Sequence, residues 1–160
     1  MICGVDPGRL GALAVLHDDG SSAEIVDMPS VEVFVSGKPR LRVSAAGIAG
    51  FLLRWKEMAD ELTLIVEETQ PMGKMGGTSS HALGKASGIV EGVAAGARIP
   101  LVPVRPAKWK RVMGLSADKG GVRLRAQQQW PEDAERFKLV KHDGRAEASF
   151  LALYGLRAAI

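Results

Sequence analysis

The chain of 160 residues contains a single cysteine, Cys3, so it cannot form an internal disulfide. That is compatible with a reducing compartment. No apolar run approaches the roughly 18 residues that cross a bilayer, and no basic leader precedes the apolar residues after Met1. The expectation is a soluble protein of the cytoplasm, in a bacterial cell or a phage-infected host, with no membrane partner. Internal repeats and low-complexity tracts are lacking too. Nor is there a strong excess of one charge, the net being +3. What is present is ordinary for a globular protein: 46% hydrophobic and 24% charged residues, enough for one domain over 1–160.

The charge is unevenly placed. From Arg105 to Gln129 seven basic residues face one acid, Asp118, so this stretch carries +6 and the remainder −3. A basic segment at about 105–130 on a mildly acidic body suits a polyanion, although a solvated helix face has the same composition.

Ile2 to Val5, Gly11 to Leu16 and Ala23 to Met28 read as strands of an antiparallel meander, separated by Asp6-Pro7-Gly8 and Asp18-Asp19-Gly20. Pro29 to Arg42 reads as an exposed excursion without a definite structure. Ser44 caps an amphipathic helix from about Ala45 to Asp60, with Ile48, Phe51, Leu52 and Trp55 at helical spacing. Leu62 to Val66 is a buried strand ending in Glu67-Glu68. A loop over Thr69 to Gly77 leads to a helix capped by Ser79 or Ser80. In that helix Gly84, Gly88, Gly92 and Gly96 repeat every four residues and suggest close approach to another backbone. A strand at Leu101 to Val104, a short helix from Pro106, a basic helix capped by Ser116 and a last helix from Asp143 to Tyr154, stopped by Gly155, complete the chain. The order implies an α/β protein with a mixed sheet.

Four acids stand out. Asp6 and Glu67 close strands at their carboxyl ends, where α/β sheets place their sites. Asp143 and Glu147 are four apart on one helix face. Like charges so placed repel unless a cation offsets them, and oxygen-only ligands suit Mg²⁺ or Mn²⁺. Two such ions can drive phosphodiester hydrolysis. Glu67, ending an apolar strand, is hard to dismiss, since a buried carboxylate needs a partner; the other three have simpler readings. Asp6 fits a turn before Pro-Gly, and the helical pair complements a helix dipole.

With these acids in place, the chain resembles the RuvC-type Holliday junction resolvases, especially their phage and organellar branch. Three blocks carry the resemblance: Gly4-Val5-Asp6-Pro7-Gly8, then Gly11-Ala12; Ile65-Val66-Glu67-Glu68 with the helix from Leu83 to Gly88; and Lys141-His142-Asp143-Gly144-Arg145-Ala146-Glu147-Ala148. The resemblance implies an RNase H-like fold with a five-stranded sheet, an antiparallel three-strand meander plus two parallel strands, flanked by helices. It further implies a homodimer that cuts four-way DNA with two Mg²⁺ or Mn²⁺ ions and leaves 5′-phosphates. Asp6, Glu67 and Glu147 match the family's metal-binding acids. Several relatives carry the fourth acid at the position of Gly144; Asp143 takes its place here, with His142 as a substitute. Lys108, Lys110, Arg111, Lys119, Arg123 and Arg125 would contact DNA phosphates, Lys119 or Arg123 at the scissile group. Met72 and Met75 would wedge into the junction centre. The same fold could instead serve flaps, other branched DNA, RNA–DNA hybrids or non-catalytic junction binding. Asp6-Pro7-Gly8 is also similar to the phosphate loop of actin-like ATPases, but those need a second domain, so no nucleotide cofactor is expected.

Overall fold

Hydrophobic alternation decides how the sheet is built. In the computed structural model, which describes residues 1–69 and 76–158, β1 (Ile2–Asp6), β2 (Ala12–Leu16) and β3 (Ser22–Asp27) form the antiparallel meander. β6 (Thr63–Glu67) and β7 (Leu101–Val104) extend it in parallel beside β1. The sheet order is β3-β2-β1-β6-β7, which is the expected five-stranded mixed sheet. Helices α1 (Ala45–Met58) and α2 (Gly77–Gly96) cover one face and α5 (Asp143–Arg157) the other. Among the described residues no helix is long and apolar enough to cross a membrane.

Period-two alternation sorts the strand residues between the two faces. Cys3 and Val5 of β1, with Leu64 and Val66 of β6, join Ile48, Leu52 and Val90 in one core. Ile2 and Ile65 join Leu151, Phe150 and Ala152 in the other. Asp6 and Glu67 continue the second alternation and so lie on the α5 side. Burial of Cys3 pushes its thiol pKa up to about 12, so it is an inert core residue.

α5 comes unusually close to the sheet. A methyl group on Gly4 would lie 2.0 Å from the Ala148 carbonyl oxygen, and one on Gly144 would lie 2.5 Å from that of Leu10. On Gly155 it would meet Ile65 Cγ1 at 2.5 Å. Gly155 is therefore a packing residue, and α5 runs past it to Arg157.

Several local expectations change. A methyl group placed on Gly84, Gly88, Gly92 or Gly96 would meet nothing within 4 Å, so α2 makes no close approach there. α2 starts at Gly77 behind Gly76, without a side-chain cap from Ser79 or Ser80. Helix α4 (Lys119–Gln129) is capped by Asp118, whose carboxylate accepts from the Gly121 amide at 2.7 Å. Ser116 instead accepts from the Asp118 amide. The excursion after Pro29 is a regular hairpin, β4 (Ser30–Val35) paired with β5 (Lys38–Val43), separate from the main sheet.

Candidate active site

Parallel pairing of β1 with β6 in the register Val5↔Val66 brings Asp6 and Glu67 side by side at the carboxyl end of the sheet. The close approach of α5 supplies Glu147, buried in its second turn. Crowding has a clear electrostatic signature. Burial, then the charges of Glu147 and Glu67, push the Asp6 pKa well above the usual carboxylate range. Burial also raises that of Glu67, opposed by a hydrogen bond from Trp109.

Two lysines offset the acids. Lys110, on α3 (Pro106–Val112), places Nζ 2.6 Å from Glu147 Oε1, and Lys119 Nζ lies 3.9 Å from Oε2. Both cations also bear on Asp6 and Glu67. Trp109 Nε1 donates to Glu67 Oε2 at 2.8 Å from a fully buried ring. Sequence reasoning left Trp109 out, because an indole in a basic helix reads simply as core. Its signal is adjacency to Lys110, since both side chains engage the acidic cluster.

Asp143 does not join the three acids. Its carboxylate is ion-paired with Arg123 of α4. Gly144, the other position considered for a fourth acid, has no room for a side chain against Leu10 and Gly11. His142 is buried, and its Nδ1 accepts from the Leu139 amide at 3.2 Å. Burial and then Arg145 and Lys141 lower its pKa, favouring the neutral ring. Lys108, Arg111 and Arg125 are exposed on the helices beside the cluster. Met72 and Met75 lie outside the described residues.

The donor set fits a hard divalent cation in kind, since it offers only carboxylate oxygens. It is not gathered for one: among the described residues no three acidic, histidine or cysteine side chains are placed to share an ion. The ammonium of Lys110 holds Glu147 instead. A cavity of about 700 Å³ lies at the other end of the sheet, beside Met1, His17 and Asp60. At the end that carries the acids, Glu147 is buried and Asp6 and Glu67 are half-buried.

No family model matches this chain, and no curated protein matches it. Solved structures do. The chain aligns with Thermus thermophilus RuvC in complex with a Holliday junction substrate at a TM-score of 0.61 and 15% identity, covering 98% of this chain and 94% of that one. The fold is that of RuvC. A second T. thermophilus RuvC structure aligns at 0.58 and 14% identity, over 99% of this chain and 96% of that one. Coverage so near completeness means that the RuvC-like α/β fold accounts for the helices around the acids as well as the sheet.

Proposed function

We propose that the chain is a divalent-metal-dependent endonuclease that cuts four-way DNA junctions. The observation carrying this reading is the meeting of Asp6, Glu67 and Glu147 with Lys110 and Lys119 at one end of the sheet. The likeness to a RuvC bound to a Holliday junction favours branched DNA over other phosphodiesters. Asp6, Glu67 and Glu147 would hold Mg²⁺ or Mn²⁺, two ions in the full site. When bound, the metal supplies Lewis acidity and an activated water. Asp6, which feels the charge of both other acids, would be the ligand central to the site. Lys110 would leave Glu147 and face the substrate phosphate, where a fixed cation stabilises the charge that develops on phosphoryl oxygens. Lys119 contributes likewise. Asp143, held by Arg123, would tie α4 to α5 beside the cluster. Lys108, Arg111 and Arg125 would bind flanking phosphates and set position, not sequence. Products are paired nicks with 5′-phosphates, made by a homodimer.

Incubating the purified protein with a four-way junction, a flap and an RNA–DNA hybrid, each with Mg²⁺ or Mn²⁺, tests this. Paired, metal-dependent nicks in the junction that vanish in Asp6→Asn are expected. If all three substrates stay intact in both metals, the nuclease reading is wrong.

A further inference from the structure

We propose that the β4–β5 hairpin is a second nucleic-acid contact, gripping the phosphate backbone of a duplex arm beside the acidic cluster. The proposal rests on the junction-nuclease reading and extends it to a part of the fold that the site does not use.

Sheet register fixes where the hairpin starts. Asp6 pairs with Ala12, and Ala12 pairs with Asp27, so Asp27 leaves the sheet at the same end as the acids. Two strand spacings separate Asp27 from Asp6, roughly 10 Å. The Met28 amide donates to Gly11 O and the Ser44 amide to Pro29 O, anchoring the hairpin base at that end. Six residues of β4 then carry the tip roughly 20 Å further. The whole hairpin therefore lies within about one helical turn of a duplex held at the acids.

Cross-strand pairing sorts the hairpin side chains. Residues opposite one another share a face, so the pairs Val31↔Arg42, Val33↔Arg40 and Val35↔Lys38 put all three cations on one face. Spaced every second residue, they step about 6.7 Å, about twice the axial rise per phosphate of one DNA strand. All three are exposed, and none forms an ion pair among the described residues. Glu32, the single acid of the hairpin, pairs with Leu41 and so lies on the opposite face. The turn is tight: Ser36 and Gly37 have φ of 51° and 74°, the paired positive values of a primed hairpin turn. A free two-stranded hairpin is marginal in water, yet this one leaves Phe34 72% and Leu41 53% exposed. Charge on one face and its position beside the acids select DNA as the partner.

The test is binding of the full chain to a fluorescent four-way DNA in EDTA, from 50 to 200 mM salt. The triple variant Lys38→Gln, Arg40→Gln, Arg42→Gln should flatten the plot of log affinity against log salt by about 2.7, a relative change of about 40-fold across that range. The charge-keeping triple Lys38→Arg, Arg40→Lys, Arg42→Lys should retain the wild-type slope. Equal slopes for wild type and the Gln triple would overturn the proposal while leaving the nuclease reading intact. So would loss of slope in both triples, which would mark a structural disturbance. If Phe34→Ser changed the oligomeric state while the Gln triple kept the wild-type slope, the hairpin would be a protein interface instead. A wild type that bound no DNA at any salt would remove both readings together.

Discussion

Lys110 offers the sharpest test of how the acids are held together. Its side chain is 19% exposed, that of Glu147 is 6%, and the two are 2.6 Å apart. Removing one partner of a buried pair costs about 3–5 kcal/mol, mostly because the other charge is left uncompensated. Lys119 remains 3.9 Å from Glu147, so Lys110→Met should fall at the lower end, about 3 kcal/mol. For a domain of this size each kcal/mol moves Tm by about 2–4 °C, giving a drop of about 6–12 °C. The assay is thermal unfolding by circular dichroism in EDTA and again in excess Mg²⁺. A divalent cation replaces the missing positive charge, so Mg²⁺ should raise Tm more in the variant than in the wild type. Two results would refute the reasoning. Unchanged stability in EDTA would mean that Lys110 does not hold Glu147. A full loss that Mg²⁺ fails to reduce would mean that the acids do not take a cation.

Three further outcomes follow from the same geometry. Asp6 has a raised pKa in the folded state, so its ionisation opposes folding: stability is highest below the unfolded pKa, near 4, and declines as pH rises through the folded value. Asp6→Asn should abolish cleavage, raise stability at pH 7 and flatten that decline in denaturant titrations across pH; a less stable variant at pH 7 would contradict the repulsion. Trp109→Phe removes the donor that keeps the Glu67 pKa from rising further, so the acidic limb of the pH–rate profile should move to higher pH; an unmoved limb would show that the indole does not act on Glu67. Gly88→Ala should stabilise the protein by about 0.5–1 kcal/mol, since the position is helical and a methyl meets nothing within 4 Å; equilibrium urea unfolding would read the gain, and a loss would point to a contact made only in an assembly.

The sheet was legible because its signal is local. Turn residues bracket β1 and β2, and the buried run at 63–67 ends in acids. The same logic located Asp6 and Glu67, whose position at strand ends needs no knowledge of packing. What escaped was three-dimensional. A glycine repeat in a helix looks alike whether it faces a neighbour or solvent, and in α2 it faces solvent. The glycines that do touch backbone, at positions 4, 11 and 144, are scattered singly and carry no periodic mark. The partners of charges were likewise hidden, because Arg123–Asp143 and Lys110–Glu147 join residues far apart in sequence. The hairpin was missed because Val-Glu-Val-Phe-Val alternates without a buried face, so its strands form by pairing rather than by hydrophobic burial.

Main-chain contact between α5 and β1 has a consequence for how such a site can change. Where side chains separate two elements, a larger residue on one can be matched by a smaller residue on the other, and the elements drift apart over time. Between Gly4 and Ala148 there is no such adjustable layer, since a single methyl would come within 2.0 Å of a carbonyl oxygen. The offset of Glu147 from Asp6 is therefore set by peptide geometry, like a tooth keyed to a shaft. The surrounding core can be rewritten while the spacing of the acids stays constant, which is one physical route to a shared fold at 15% identity.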